Sequence, residues 1–176
     1  MRQSMILAIL IFSANTVHAD TSANFTVEGE ITGSTCKVDL GANNTVSLPV
    51  QKRSVLAKAG DTAGKTPFQI SVIGCSANAS LYFENDQATV NSEGRLVNTA
   101  LPGEDAGAQN VELEILNESG LPVKLASSKG QQSVSAATLG ATPDAAIYNF
   151  FVQYYAVGVA QAGTVKSSLT FLVDSF

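Results

Sequence analysis

Residues 23–31 alternate between two kinds of side chain, and this is the clearest pattern in the chain. One set is small or apolar and the other is polar or charged: Ala23, Phe25, Val27, Gly29 and Ile31 against Asn24, Thr26, Glu28 and Glu30. A period of two is typical of a strand that has one covered face. No turn signal precedes this strand and no hairpin partner follows it directly, so we expect it to need a partner from elsewhere.

The remaining pattern predicts an all-β protein. Short runs rich in β-branched and aromatic residues recur between turn residues, and no helical period is sustained for a dozen residues. One helical turn is expected over residues 54–59, ending at Gly60. The predicted strands cover residues 35–40, 45–48, 68–74, 80–84, 95–98, 111–117, 123–125, 133–136, 147–156 and 164–173. This arrangement is typical of a β-sandwich.

Residues 1–19 have the pattern of a secretory signal peptide. Arg2 gives the positive start, residues 5–12 form a short apolar core, and Val17-His18-Ala19 offers small residues to signal peptidase. The apolar run is too short to span a bilayer, so we expect export without membrane insertion. Cleavage would leave 157 of the 176 residues, the size of one domain.

Charge argues against two classes of partner. Cleavage removes Arg2, one of 10 basic residues, and leaves 9 against 15 acidic residues, a formal net charge of −6. Nucleic acids and anionic membranes attract clustered Lys and Arg, whereas the densest basic pair here is Lys52-Arg53. We therefore expect neither as a partner.

Two cysteines, Cys36 and Cys75, remain after the expected cleavage. In an exported chain they most simply form one disulfide, which closes a loop of about 40 residues and contributes roughly 3–4 kcal/mol. A metal site is the weaker alternative, because zinc needs three or four ligands and the one histidine, His18, leaves with the signal peptide.

The sequence offers few candidate catalytic residues. Without histidine, neither a Ser-His-Asp nor a Cys-His arrangement can form. Paired carboxylates would suit a glycosidase, but Glu112 and Glu114 alternate with apolar neighbours and are better interpreted as the solvated face of a strand. Residues 59–66 fit a relaxed phosphate-loop pattern, yet Pro67 and Phe68 continue as a strand rather than a helix, which favours a surface loop. We expect no enzyme activity, cofactor or metal.

Several features in a fixed order resemble the chaperone–usher pilins, the subunits of type 1-like fimbriae in Gram-negative bacteria. They are Gly29-Glu30-Ile31 before Cys36, the strand 68–74 before Cys75, the segment Asn110-Val111 to Gly120, and the closing pair 148–158 and 163–176. The resemblance covers essentially the whole chain after residue 19. Four Asn-x-Ser/Thr matches would have no meaning in such a bacterial protein.

The resemblance implies an incomplete immunoglobulin-like β-sandwich that lacks its last strand. It divides the chain into a signal peptide (1–19), an N-terminal donor-strand arm (20–33) and a pilin domain (34–176). The donor face would be Ala23, Phe25, Val27, Gly29 and Ile31, and the groove residues, or chaperone contacts, would be Leu169, Phe171, Val173 and Phe176. Phe176 is one position beyond the aromatic residue usual in the family, and a shift of one reverses the face in a strand.

The partners implied are a periplasmic pilus chaperone, an outer-membrane usher and neighbouring pilin subunits, in a fimbria on the cell surface that serves adhesion or biofilm formation. No covalent step is needed beyond the disulfide. An alternative is a self-contained secreted β-sandwich that binds a carbohydrate or another ligand through the aromatic residues of strand 147–156. Packing in the core and at the sheet edge explains those aromatic residues more simply.

Overall fold

Nine β-strands and one 3-10 helix form the regular structure of the residues that this computed structural model describes. The model describes residues 21–32, 37–40, 44–74, 79–100, 106–134, 138–139 and 145–175. The strands are β1 (Thr21–Thr32), β2 (Lys37–Asp39), β3 (Thr45–Gln51), β4 (Thr62–Ile73), β5 (Ala79–Phe83), β6 (Val111–Asn117), β7 (Thr138–Leu139), β8 (Ala145–Ala156) and β9 (Val165–Ser175). The 3-10 helix spans Arg53–Val55. The predicted signal peptide, Cys36, Cys75 and Phe176 lie outside the described residues.

The strands form two sheets, as the sequence predicts. In the first sheet the order is β3-β1-β9-β5, and in the second it is β2-β4-β8-β6, with β7 pairing with β8. All pairs are antiparallel except β1 with β9, which is parallel. No helix in the described part of the chain is long and apolar enough to cross a membrane.

The core lies between the sheets and follows from the alternation along each strand. In β8 the even positions Tyr148, Phe150, Val152 and Tyr154 are buried, and the odd positions between them are only partly covered. The same alternation buries alternate positions of β4, β6 and β9, so two half-apolar faces meet and exclude water.

Strand β4 begins earlier than the sequence indicates, and this corrects the interpretation of residues 59–66 as a surface loop. Thr62 and Ala63 pair with β8, and the pairing resumes at Thr66 after a shift in register. Gly64 lies at this bulge with φ of 68°, a conformation that suits glycine. The residues around Gly64 therefore belong to a strand, because the chain pairs with β8 again after the bulge.

The prediction of two short strands, at residues 95–98 and 123–125, was wrong. At residues 95–98 the structure has isolated bridges from Leu96 to Val90 and to Leu113, and residues 123–125 lie outside the named strands. Leu96, Val123 and Leu125 are nevertheless buried, so the apolar pattern identified the core correctly and the ladder wrongly. The strand predicted at 133–136 is absent from its described part, Ser133 and Val134. The helical turn predicted over residues 54–59 is a shorter 3-10 helix, which begins one residue earlier and ends at Val55.

One buried side chain completes the hydrogen bonding of β5, the strand on the far side of β9. The Phe83 N–H donates to Gln132 Oε1 at 2.8 Å, and Gln132 Nε2 donates to the Phe83 carbonyl at 2.7 Å. Gln132 is only 3% exposed, and its Nε2 also contacts the carbonyl of Ser127 at 3.2 Å. The primary amide thus pairs with Phe83 as a neighbouring strand would.

Replacing this amide should destabilise the fold. Gln132→Leu leaves the Phe83 N–H and carbonyl buried and unpaired, and each such group costs roughly 1–3 kcal/mol. We expect the free energy of unfolding, measured in urea, to fall by about 2–4 kcal/mol. The matched control is Gln131→Leu at the exposed neighbour, where a change within about 0.5 kcal/mol is expected. Equal effects of the two substitutions would contradict this role of Gln132.

Candidate functional site

The N-terminal strand β1 lies between β3 and β9 in the first sheet, and we call it the arm. On one side it runs parallel to β9, with ten Cα pairs from Ala23 with Val165 to Thr32 with Asp174. On the other side it pairs antiparallel with β3, and the Val27 N–H donates to the Asn44 carbonyl at 2.7 Å. The partner that the sequence left open is therefore a groove between β3 and β9, occupied here by the chain's own arm.

Residues expected on the donor face and residues expected in the groove lie side by side in the β1–β9 pair. Phe25 and Val27 are buried, as are Leu169, Phe171 and Val173 of β9. Ala23 and Ile31 occupy the register positions opposite Val165 and Val173. Burying Phe25 and Val27 contributes roughly 1.5–3 kcal/mol each.

Two positions of the β1–β9 pair match an aromatic residue with a small one. Phe25 is paired with Ser167, and Gly29 is paired with Phe171. A Cβ at Gly29 would overlap the Phe171 ring, with Cε1 at 2.6 Å, and Phe171 is fully buried. Gly29 is not one of the described glycines that have a positive φ. Its role is therefore steric, because the missing side chain leaves room for the Phe171 ring.

The arm is part of the aromatic core. The Phe25 ring packs edge-on against Phe68 with centroids 5.8 Å apart, and Phe68 stacks on Phe150 at 5.4 Å. Phe150 in turn contacts Phe83 at 5.2 Å. These four rings form a row that joins the arm to both sheets. Loss of Phe25 therefore removes one end of a series of ring contacts that runs through the core.

Sequence reasoning missed two parts of the groove. Strand β3 forms its second wall, with Val46 and Leu48 at the positions paired with Phe25 and Ala23. Ser167 was not among the proposed groove residues, yet it is buried on the same face of β9 as Leu169. The alternation of β9 at period two contained the signal, since Ser167 is two positions before Leu169.

The carboxylates proposed as a solvated face are more covered than expected. Glu112 accepts a hydrogen bond from Arg95 Nε at 2.6 Å and one from Asn91 Nδ2 at 2.8 Å, and its side chain is 17% exposed. Glu114 accepts a hydrogen bond from Gln153 Nε2 at 2.8 Å. Both groups are thus engaged in contacts across the outer face of the second sheet.

The aromatic residues of β8 divide between the two faces of its sheet. Tyr148, Phe150 and Tyr154 belong to the core, and burial raises the pKa of Tyr154 to about 12, so its hydroxyl stays neutral and donates to the Pro49 carbonyl at 3.3 Å. Phe151 and Tyr155 are on the outer face, each covered by a cation, Lys65 at 4.1 Å and Arg95 at 4.3 Å from the ring centroids. Core and edge packing explains all five.

Comparison with known proteins identifies the family of this chain. The model of the fimbrial protein family matches residues 25–175, from the first buried arm residue to the end of β9. This chain belongs to the fimbrial protein family. It is a structural subunit of a bacterial surface fimbria.

Relatives within the fimbrial family include subunits of different rank. The chain is 33% identical to the F17 fimbrial protein of Escherichia coli over 177 residues, covering 96% of this chain and 95% of that protein. It is 35% identical to the major fimbrial subunit SMF-1 of Stenotrophomonas maltophilia, covering 84% and 89% of the two chains. The minor fimbrial subunit HifD of Haemophilus influenzae is 32% identical, with coverage of 85% and 72%. Similarity therefore extends to both major and minor fimbrial subunits.

Proposed function

We propose that this fimbrial subunit polymerises by donor-strand exchange, in which its arm leaves its own groove and enters the groove of a neighbouring subunit. The observation that carries the proposal is the matched pair of faces on β1 and β9, in particular Gly29 against Phe171. Because β1 precedes every other strand, it can leave as a unit; its departure opens the first sheet between β3 and β9 and leaves the second sheet whole. Backbone hydrogen bonds then supply affinity, and alternating side chains supply register.

Two features favour exchange over permanent self-pairing. The arm pairs with β9 in parallel, which is slightly less stable per residue than antiparallel pairing. The Ser167 Oγ is buried and has no hydrogen-bond partner among the described residues, and such a group costs roughly 1–3 kcal/mol. A neighbour's arm that enters in another direction or register is favoured in free energy by whichever of these two costs it removes.

Exchange between copies produces a filament. The donor and acceptor surfaces differ, because one is β1 and the other is the groove between β3 and β9. A contact of this heterologous kind does not close on itself unless the rotation permits, so it extends from subunit to subunit. This accounts for a fibre made without covalent chemistry, and we propose no enzyme activity for the chain.

We further propose that residues 1–19 direct export and that a periplasmic chaperone covers the groove before an outer-membrane usher delivers the subunit to its neighbours. An exposed groove with Leu169, Phe171 and Val173 would otherwise aggregate, since an open sheet edge with apolar side chains is a template for non-specific pairing. A disulfide between Cys36 and Cys75 belongs to the same proposal, formed in an oxidising compartment.

The test is a substitution on the buried face of the arm in cells that produce the fimbria. Phe25→Asp places a charge in the apolar groove, at a large cost in free energy. Fimbriae sheared from the cells and dissolved in cold SDS should show a ladder of subunit multiples for the unmodified chain. We expect the ladder from Phe25→Asp cells to fall at least tenfold.

The neighbouring residue Thr26 supplies the control, because it lies on the opposite face of β1. Thr26→Asp should leave the ladder within about twofold of the unmodified chain. If Phe25→Asp and Thr26→Asp cells produce equal ladders, the arm is not the donor and the proposal is wrong.

A further inference from the structure

The two sheets end in four edge strands, and an arm that pairs through its backbone can add to any edge that is open. The outer strands of the first sheet are β3 and β5, and those of the second sheet are β2 and β6. An edge strand presents N–H and C=O groups that pair readily with another strand. Exchange of arms builds a fibre only at the groove, so the state of these four edges decides where a neighbour's arm pairs.

Edge strand β3 has a proline at a position where its backbone faces away from the arm. The Asn44 carbonyl, just before β3, accepts a hydrogen bond from the Val27 N–H of the arm. Successive residues of a strand point these groups to opposite sides, so those of Pro49, five positions later, point away from β1. Pro49 has no N–H, and its carbonyl accepts a hydrogen bond from the Tyr154 hydroxyl at 3.3 Å. An incoming strand therefore finds no donor at Pro49 and an acceptor that is already engaged.

Edge strand β5 is covered by a segment of the chain that is not itself a strand. The side-chain amide of Gln132 bonds to both the N–H and the carbonyl of Phe83. The same segment is held against the sheet by Lys129, whose Nζ lies 4.6 Å from the centroid of the Tyr82 ring. Lys129 also forms an ion pair with Asp174 of β9. The segment thus occupies the place that an added strand would take beside β5.

Edge strand β6 has outward backbone groups that are bonded to two neighbouring loops. The Leu96 N–H donates to the Leu113 carbonyl at 2.8 Å, and the Leu113 N–H donates to the Leu96 carbonyl at 2.9 Å. Two positions further along β6, the Ile115 carbonyl accepts a hydrogen bond from the Val123 N–H at 2.8 Å. These loops form single bridges and no ladder, yet they engage β6 at two successive outward positions.

The remaining edge, formed by β2 and β4, is short and interrupted. Strand β2 has three residues and pairs with β4 from Ser71 to Ile73. Along the rest of β4, Pro67 has no N–H and the bulge at Gly64 breaks the regular spacing of the backbone groups. Very short strands, prolines and bulges all discourage pairing at the edge of a sheet. Each of the four edges thus has a feature that opposes the addition of a strand.

We propose that these edge features determine the specificity of strand exchange: they exclude a neighbour's arm from the four edges and leave the groove as its acceptor among the described strands. The groove opens when its own arm leaves, because β3 and β9 then lose the strand between them. One arm and one acceptor in each subunit give a linear fibre without branches. The inference rests on the proposed function, since it needs an arm that passes between copies.

The test opens the edge of β3 in the full-length chain. Pro49→Thr and, separately, Pro49→Ala restore the missing N–H at an exposed position. The probe is a fluorescent peptide of residues 20–32 that carries Phe25→Asp, which keeps it out of the apolar groove but leaves its backbone able to pair at an edge. Fluorescence anisotropy measures its binding. We expect the dissociation constant to fall at least about fivefold for both variants, because each gains a backbone donor. The matched control, Val50→Thr at the exposed neighbour, should stay within about twofold of the unmodified chain.

Failure of this inference is distinguishable from failure of the proposed function. If both Pro49 variants bind the peptide no better than Val50→Thr does, the proline does not close the edge and the inference is wrong, while arm exchange stays intact. Binding to the unmodified chain that is as tight as binding to the Pro49 variants would have the same meaning. Equal SDS ladders from Phe25→Asp and Thr26→Asp cells would instead overturn arm exchange, and this inference with it.

Discussion

Gly29→Leu should expel the arm from the groove and lower the melting temperature of the monomer by about 6–12 °C. The reason is steric, since even a Cβ at this position overlaps the Phe171 ring, which is fully buried. Overpacking a core costs roughly 1–3 kcal/mol when neighbours adjust, and more when they cannot. Each kcal/mol corresponds to about 2–4 °C for a domain of this size. Circular dichroism on heating measures the change.

Two variants separate this steric effect from a general effect of added apolar surface. Glu28→Leu adds the same side chain at the exposed neighbouring position and should shift the melting temperature by less than about 2 °C. Phe171→Ala combined with Gly29→Leu restores space on the opposite strand, so the double variant should be more stable than the sum of the two single changes predicts. Strict additivity would show that Gly29 and Phe171 do not meet.

The faces of the arm and of β9 were predictable from the sequence, because a strand places alternate residues on opposite sides whatever its partner is. This is why Phe25 and Val27 were identified on one strand without a structure, whereas Leu169 and Phe171 on the other followed from the resemblance to the family. The register was not predictable. To predict that Phe25 pairs with Ser167, one must know how two strands about 140 residues apart are aligned. The local pattern of side chains carries no information about that alignment.

The direction of the arm could not be derived either. Reversing a strand of period two leaves the same residues facing inward, so the pattern permits both parallel and antiparallel pairing. The bulge at Gly64 was missed for a related reason, since a single Gly in a polar run resembles a loop until its ladder to β8 is known. The Arg95 to Glu112 contact depends on the packing of two segments that local periodicity treats separately.

Three exposed valines show the opposite limit. Val55, Val157 and Val159 look like ordinary core candidates in the sequence, because valine is usually buried. In the structure the neighbouring residues Leu56 and Ala160 are buried, whereas these valines face solvent. Exposure of this kind is a property of tertiary structure.

Removing the arm should have the largest effect of all. A chain without residues 20–32 exposes Leu169, Phe171 and Val173, and it leaves β3 without the strand that joins it to β9. The lost apolar burial and hydrogen bonds amount to about 5 kcal/mol or more, which is comparable with the whole stability of a small domain. We expect an aggregating or marginally stable protein whose melting temperature is at least about 15 °C lower.

The most direct measurement is the size and melting temperature of this armless protein, with and without a synthetic peptide of residues 20–32. Arm exchange between copies predicts that the peptide restores a monomer and raises the melting temperature by about 15 °C or more, because a ligand that binds only the folded state stabilises it. A peptide carrying Phe25→Asp should not. An armless protein that is already a stable monomer and ignores the peptide would contradict donor-strand exchange.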